Sequence, residues 1–197
     1  MRDAEPTLLL TRPEPQSRGF LNQCEAEAGR RLPAVITPLM KIVPTGVVPE
    51  LDRFETILFT SGNGIRCLRD VARLTNRRVC TVGERTAELA KSLGADAVSI
   101  GEDVDSFLAN ADQIVGPALL CRGEHSRGEV ASRLAERGIE VQEAVIYDQV
   151  AQPLSTAGIR LLAGEGPVIA PIFSPRTAVL LGRHAVITAP LTVVAMS

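Results

Sequence analysis

Two stretches of the sequence place a serine turn directly after an apolar run, at Thr56–Thr60 and at Val168–Phe173. Serine, threonine and asparagine are favoured at helix N-caps, and the amide groups and positive pole of a helix start attract anions. We therefore predict that both turns bind carboxylates or phosphates, although ordinary helix capping explains each residue equally well. The residues of the two turns are Thr60, Ser61, Gly62, Asn63, Ser174, Pro175 and Arg176.

Three further positions at the ends of predicted strands are candidate ligand contacts. Arg12 and Arg122 each carry a guanidinium that is able to bind a carboxylate through two hydrogen bonds. The alternatives are an ion pair with Glu14 for Arg12 and a solvated loop position for Arg122. Gly83 to Thr86 opens another helix, so we expect Thr86 to cap that helix and present its amide groups to a ligand.

Metal and redox sites are not predicted from this sequence. The cysteines are scattered singly, without a Cys-x-x-Cys motif, and only His125 and His184 are present to complete a metal site. We interpret His125 as a solvated loop residue, with acid–base work as the alternative. No pair of carboxylates stands at catalytic spacing, and we expect no cofactor. The cysteines are Cys24, Cys67, Cys80 and Cys121.

Composition limits the class of partner. The chain has 197 residues, of which 45% are hydrophobic, and 21 Lys and Arg against 23 Asp and Glu give a net charge of -2. This balance argues against binding to nucleic acid or to an anionic membrane surface. No apolar run approaches the roughly 20 residues of a membrane span, and no signal peptide is recognisable at the N-terminus. We expect a cytoplasmic protein.

Short β-branched runs alternate with helical patterns, which predicts an α/β protein with doubly wound parallel sheets. The predicted helices span Gln16–Ala28, Thr86–Leu93 and Glu129–Glu136, and each is closed by a glycine. The predicted strands are Leu8–Thr11, Val35–Thr37, Thr56–Thr60, Arg78–Val82, Ala97–Ile100, Leu119–Arg122, Val141–Val150, Val168–Phe173 and Thr192–Met196.

Two extended segments marked by proline interrupt this alternation, at 37–44 and 145–153. If they lie side by side, they form a two-stranded linker from residues 39–45 and 146–150. The chain then has a discontinuous first lobe, 1–38 plus 151–197, and an inserted second lobe, 46–145. Ligands commonly bind between such lobes and at the carboxyl ends of parallel strands.

Six segments, in order and spacing, resemble the uroporphyrinogen-III synthase family. The resemblance spans nearly the whole chain and implies two α/β lobes joined by a two-stranded linker. It also implies conversion of hydroxymethylbilane, a linear tetrapyrrole with eight carboxylates, into cyclic uroporphyrinogen III, with inversion of the last ring and without metal or organic cofactor. The segments are Leu8–Pro13, Phe59–Gly64, Val82–Ala87, Leu120–Glu124, Val145–Tyr147 and Phe173–Pro175.

The same resemblance suggests a catalytic residue and partners. Tyr147, the only tyrosine in the chain, matches the family tyrosine implicated in departure of the substrate hydroxyl. A tyrosine packed in a strand for its ring, with the hydroxyl at the rim, is the alternative. We further expect a monomer that receives its bilane from hydroxymethylbilane synthase.

Two functions from other classes remain as alternatives. The first is a two-lobe module that binds an acidic metabolite without turnover, which fold alone does not distinguish from an enzyme. The second is a nucleotide-dependent oxidoreductase, which is disfavoured because Gly62-Asn63-Gly64 lacks the third glycine of the dinucleotide fingerprint.

The C-terminus departs from the family pattern. Family members continue past the point that corresponds to Ser197, and Thr192–Met196 reads as a strand without its following turn and helix. We expect a truncated C-terminal lobe with an open sheet edge and exposed apolar surface, and a longer version that is more stable and more active.

Overall fold

Strands and helices alternate along the chain in the computed structural model, which describes residues 5–68, 71–125, 129–183 and 186–196. The nine predicted strands are all present, with limits that differ from the prediction by one residue at most, and a further strand, Met40–Pro44, lies within the predicted linker segment 39–45. The strands are β1 (Thr7–Leu10), β2 (Ala34–Ile36), β3 (Met40–Pro44), β4 (Thr56–Phe59), β5 (Arg78–Val82), β6 (Asp96–Gly101), β7 (Ala118–Gly123), β8 (Val141–Ala151), β9 (Val168–Ile172) and β10 (Leu191–Ala195).

The helices connect successive strands and include the three that were predicted. Short 3₁₀ helices lie at Leu51–Arg53, Val71–Leu74 and Ala111–Gln113. The α-helices are α1 (Glu14–Ala28), α2 (Gly62–Cys67), α3 (Glu84–Ser92), α4 (Val104–Ala109), α5 (Val130–Ala135), α6 (Thr156–Leu162) and α7 (Pro175–Gly182). Gly29 ends α1 in the left-handed conformation, with φ 63°, because only glycine adopts this cap without a Cβ penalty.

The chain divides into two compact units. Unit 1 comprises Met1–Lys41 and Val150–Ser197, and unit 2 comprises Ile42–Gln149. The chain therefore passes between the units twice, within β3 and within β8. These two strands are neighbours in one sheet. They run in opposite directions, since the amide of Gln152 donates to Leu39 and the amide of Thr45 donates to Ile146.

Unit 1 contains a four-stranded sheet in the order β10–β9–β1–β2, and its strand pairs are all parallel. The central strands β1 and β9 place Leu9 and Val168 in a common apolar core, where both are fully buried. At the edge, Val193 and Val194 of β10 remain exposed. The expectation of a truncated C-terminal lobe stays a prediction.

Unit 2 contains the larger sheet, in the order β3–β8–β7–β4–β5–β6. Strand β4 is paired in parallel with β5 and β7. Two apolar clusters of this unit include helix residues, Ile65 of α2 in the first and Phe107 of α4 in the second. Ile57 and Phe59 pack in one apolar cluster and Leu58 packs in the other. Burial on both faces explains why β4 is continuously apolar rather than alternating.

Gly158 in unit 1 packs closely against Thr37, whereas Gly19 has open space beside it, so the two glycines form a matched pair for substitution by alanine. A methyl group on Gly158 of α6 would lie 2.9 Å from Cγ2 of Thr37, a buried residue whose hydroxyl accepts a 2.8 Å hydrogen bond from the amide of Ser155. Gly19, inside α1, has no atom within 4 Å of the same position.

We expect Gly158→Ala to lower the free energy of unfolding by about 1–3 kcal/mol through overpacking, despite the better helix propensity of alanine. Gly19→Ala should raise it by roughly 0.5–1 kcal/mol. Urea denaturation of the two variants measures both changes. Equal effects of the same sign would show that the contact with Thr37 does not determine the outcome.

Candidate functional site at the carboxyl edge of the unit 2 sheet

Three neighbouring strands of unit 2 bring polar groups to one edge of the sheet. Strand β4 ends at Phe59 and β7 ends at Gly123, while β8 passes Gly123 with Tyr147 in register. Because these strands are parallel, their carboxyl ends meet at the same edge. Ser61 follows β4 there, so the sheet brings the first predicted turn and the predicted catalytic tyrosine together.

Ser61 caps α2, as the sequence predicts. Its backbone is extended, with φ -162°, and its Oγ accepts a 3.2 Å hydrogen bond from the amide of Asn63. The carbonyl oxygen of Ser61 accepts the amide of Gly64 at 3.0 Å. These two bonds occupy two donors of the helix start. Among the described residues, the amide of Gly62 has no such partner and is the donor that this turn offers to a ligand.

Tyr147 is buried, with 5% of its surface exposed, and packs in the apolar cluster of unit 2. Its ring lies against the backbone of β7, since a Cβ on Gly123 would be 2.5 Å from Cε2 and 2.6 Å from Cζ of the ring. The carbonyl oxygen of Tyr147 accepts a 2.9 Å hydrogen bond from the amide of Glu124. The ring therefore occupies the place of a side chain on the neighbouring strand.

A register shift in β8 directs this side chain. Arg122 pairs with Val145, but Gly123 pairs with Tyr147, so one extra residue, Ile146, is inserted between the two pairs. Side chains alternate between the two faces of a regular strand, whereas Ile146 and Tyr147 are consecutive and both lie in the same apolar cluster. Bulges of this kind redirect side chains near functional sites.

The surroundings of Tyr147 keep its phenol protonated. Burial raises the pKa of Tyr147, and this effect exceeds that of hydrogen bonds with the side chains of Ser61 and Gln149 and with the backbone of Gly123, which lower the pKa. Since an unperturbed tyrosine already titrates near pH 10, the group is a neutral hydrogen-bond donor at physiological pH. It is able to donate to an oxygen atom of a ligand at this edge.

The guanidinium of Arg122 binds a carboxylate of the protein itself. Its Nε and Nη2 pair with the two carboxylate oxygens of Glu143 on β8, at 2.7 and 3.2 Å, and its Nη1 donates to the carbonyl oxygen of Gly123 at 2.9 Å. The guanidinium thus joins β7 to β8. The solvated loop position was wrong, because Arg122 lies in β7 and the adjacent strand supplies a carboxylate. A contact between Arg122 and the substrate stays a prediction.

The prediction that Thr86 caps its helix was also wrong. Helix α3 begins at Glu84, its N-cap is Gly83, and Thr86 lies inside the first turn with its amide donating to the Gly83 carbonyl oxygen. Gly83 has φ 76°, a conformation that favours glycine, which explains why the cap falls on this residue. A role for Gly83 or Thr86 in binding the substrate stays a prediction.

The second serine turn lies in unit 1, after β9. Ser174 caps α7 and accepts the amide of Thr177 at 3.1 Å, while the two hydroxyl groups are 2.8 Å apart. The prediction of backbone donors needs one correction here, because Pro175 has no amide hydrogen. Arg176 is the next residue of this turn that has an amide group.

Arg12 follows the carboxyl end of β1, the strand next to β9 in the unit 1 sheet. Its guanidinium stacks on the ring of Phe173, 4.2 Å from the ring centre, and Phe173 in turn meets Phe20 edge to face at 5.2 Å. Glu14, the alternative partner, accepts a hydrogen bond from Arg18 at 2.6 Å. Stacking fixes the plane of the guanidinium, which suits bidentate recognition of a carboxylate.

The remaining polar candidates do not form a second site. His125 is exposed, and its Nε2 lies 3.9 Å from Oδ1 of Asp148. His184 lies outside the described residues. Burial raises the pKa of the Cys121 thiol to about 12, so this group is not a nucleophile at neutral pH. Within the described ranges no group of three His, Cys, Asp or Glu side chains is placed to hold a metal ion. No described helix has the length and apolar character that crossing a membrane requires.

Two residues of this site were not identified from the sequence. Gly123 belongs to a segment that carried the family resemblance, but nothing in the sequence indicates that its missing side chain makes room for a ring. Gln149, which hydrogen-bonds the Tyr147 phenol, lies two residues further along β8. Residues two apart in a strand lie on the same face, so the spacing of Gln149 from Tyr147 is a signal that the two side chains are neighbours. The signal is weak, because polar residues at this spacing are common in strands.

The fold and these edges define a two-unit α/β protein with a neutral phenol donor and capped helix starts. The sequence model described as uroporphyrinogen-III synthase HemD matches residues 26–196. The chain therefore belongs to the uroporphyrinogen-III synthase family. Comparison with curated protein sequences gives no match.

Solved structures share the fold. A crystal structure of uroporphyrinogen-III synthetase from Helicobacter pylori is similar with a TM-score of 0.67 and 15% identity, covering 98% of this chain and 84% of that one. A mutant uroporphyrinogen III synthase from the extremely thermophilic bacterium Thermus thermophilus is similar with a TM-score of 0.59 and 16% identity. The match covers 96% of this chain and 84% of that one. The predicted two-lobe α/β fold is thus confirmed.

The raised pKa of Tyr147 predicts a measurable pH dependence. Tyr147 is the single tyrosine and the chain has no tryptophan, so tyrosinate absorbance reports this residue alone. The folded protein should titrate above pH 10, the ordinary value, and the urea-unfolded protein near it. Between the two values the unfolded chain loses a proton that the folded chain keeps, so the free energy of unfolding should fall as pH rises.

Ser61→Ala should raise the titration midpoint of Tyr147 further, because it removes a hydrogen bond that lowers the pKa. A folded midpoint at or below that of the unfolded chain would contradict the burial of the phenol.

Proposed function

We propose that this chain is a uroporphyrinogen-III synthase that acts as a cyclising lyase on hydroxymethylbilane. The observation that carries the proposal is the family match over residues 26–196, which includes Tyr147 and the turns after β4 and β9. A neutral phenol at the carboxyl edge of unit 2 supports it, because the reaction begins with departure of a hydroxyl group.

Tyr147 acts in the first step. Its phenol donates a hydrogen bond, and then a proton, to the terminal hydroxyl of the bilane while the carbon–oxygen bond breaks and the electron pair leaves with the oxygen as water. The adjacent pyrrole nitrogen supplies electron density and keeps its proton, which produces an electrophilic, cationic azafulvene. Burial supports the hydrogen-bonding part of this role, because a raised pKa keeps the phenol protonated.

The second step depends on the conformation of the substrate. The far ring attacks the azafulvene carbon through its own substituted carbon and forms a spiro intermediate, which fragments and closes again with that ring inverted. Loss of a proton to the Tyr147 oxygen restores the aromatic pyrrole and the neutral phenol. The electron-rich pyrroles supply most of the reactivity, and the protein prevents direct closure to the symmetric isomer by orienting the rings.

Each unit has groups that are able to bind a carboxylate. In unit 2 the amide of Gly62, together with the hydroxyl of Thr60 and the side chain of Asn63, offers donors beside Tyr147. In unit 1 the guanidinium of Arg12 and the amide of Arg176 have this role, next to the ring of Phe173.

The proposal extends to the cellular setting. The family resemblance favours a cytoplasmic monomer that needs no cofactor and receives its bilane from hydroxymethylbilane synthase. The net charge of -2 makes non-specific binding to nucleic acid unfavourable. Size-exclusion chromatography with light scattering tests the monomer, and a coupled assay with the upstream enzyme tests the transfer.

The first functional prediction concerns Tyr147→Phe. The variant keeps the ring in its apolar surroundings but removes the donor, so the rate of uroporphyrinogen III formation should fall roughly a hundredfold. The loss of stability should be modest, about 1 kcal/mol, because only hydrogen bonds of the phenol are removed. Isomer analysis of the products and a thermal melt measure the two effects. A fully active and stable variant would show that Tyr147 contributes only packing and is not catalytic.

A second prediction separates capping from ligand binding. Ser61→Ala removes the cap of α2 beside Tyr147, whereas Asp103→Ala removes the cap of α4, which follows the outer strand β6. Both should lower the free energy of unfolding by about 1 kcal/mol. Only Ser61→Ala should also lower the rate of isomer III formation.

Proline is not a suitable probe of either serine turn, since Ser61 and Ser174 have φ values of -162° and -157° that proline does not adopt. Parallel losses of rate in the Ser61 and Asp103 variants would indicate that reduced stability, rather than the site, controls activity.

A further inference from the structure

The missing side chain of Gly123 is required by the position of Tyr147. A Cβ built on Gly123 comes within 2.5 Å of Cε2, 2.6 Å of Cζ and 3.1 Å of Cδ2 of the ring. Ordinary carbon contacts begin near 3.5 Å, so any other residue at this position would displace the ring by roughly 1 Å. The displaced atoms include Cζ, which bears the hydroxyl group.

The packing around the Tyr147 ring leaves little space into which the ring could move. It is buried in an apolar cluster that includes Phe59, Ile65 and Cys121, and close-packed interiors do not yield by an ångström without cost. The hydroxyl is also held by Ser61 and Gln149. A shift of the ring therefore moves the hydroxyl away from these partners.

The backbone of Gly123 is itself held in place. Arg122 pairs with Glu143 across β7 and β8 and donates to the carbonyl oxygen of Gly123, while the amide of Glu124 donates to the carbonyl oxygen of Tyr147. The inserted residue in β8 lies directly beside this pairing. The two strands are thus fixed to each other at the point where the ring crosses.

From these contacts we infer that Gly123 is a positioning residue, which holds the Tyr147 hydroxyl beside Ser61 by allowing the ring to lie across the backbone of β7. The inference deepens the proposed function and rests on it for the role of the hydroxyl in the reaction. In this inference Gly123 acts through its contact with Tyr147.

The test is Gly123→Ala, with Gly19→Ala as the matched control that adds the same methyl group in open space. Because Tyr147 is the only tyrosine and tryptophan is absent, near-ultraviolet absorbance and fluorescence report its surroundings directly. Gly123→Ala should change these spectra and the tyrosinate titration, and should lower isomer III formation by roughly tenfold to a hundredfold. Gly19→Ala should leave both unchanged.

A double-mutant cycle provides a second readout that does not depend on turnover. Gly123→Ala should lower the melting temperature when the tyrosine ring is present and should have little effect in the Tyr147→Ala background, where the ring is absent. An equal loss of stability in both backgrounds would overturn the inference, since Gly123 would then act through other contacts.

The outcomes for this inference and for the proposed function are separate. Unchanged tyrosine spectra in Gly123→Ala would overturn the inference whatever the activity. Altered spectra with wild-type formation of isomer III would also overturn it, because the position of the hydroxyl would not matter to the reaction. Failure of the wild-type protein to form isomer III, by contrast, would refute the proposed function, and with it the catalytic part of the inference, while the spectra still test the packing contact.

Discussion

The ring of Tyr147 lies where a side chain on the adjacent strand would lie, and the arrangement of the candidate site depends on this contact. Gly123 provides the space, the inserted residue in β8 turns the ring toward β7, and the pairing of Arg122 with Glu143 holds the two strands together. Removal of water from the phenol then raises its pKa. One packing constraint therefore determines both the position and the protonation state of the donor.

Both units use the same physical principle at the carboxyl edges of their parallel sheets. Ser61 and Ser174 accept amides at the starts of α2 and α7, which satisfies part of each helix terminus and leaves the positive pole toward the edge. The two turns differ in chemistry, however. The turn at Ser174 continues with Pro175, which has no amide hydrogen, and Arg12 stacked on Phe173 supplies a charge in that unit.

Local patterns were sufficient to predict the strands, the glycine cap of α1 and the two serine caps, because these features depend on neighbours in sequence. The solvated loop position for Arg122 and the helix cap at Thr86 were wrong for different reasons. The partner of Arg122 lies on another strand, and the positive φ of Gly83 moved the cap away from Thr86. The role of Gly123 was not predictable, since it depends on a register shift between β7 and β8 that no periodicity reveals.

The insertion of unit 2 within unit 1 has a consequence for synthesis of the chain. Residues Ile42–Gln149 are contiguous, so unit 2 is complete while the ribosome is still adding the last part of the protein. Strand β1 must wait for β9, because Thr7 pairs with Val168. Such long-range pairing carries a larger loop-closure cost and slows folding. During that interval β1 and β2 present unpaired strand edges, which makes the nascent unit 1 the part of the chain most in need of a chaperone.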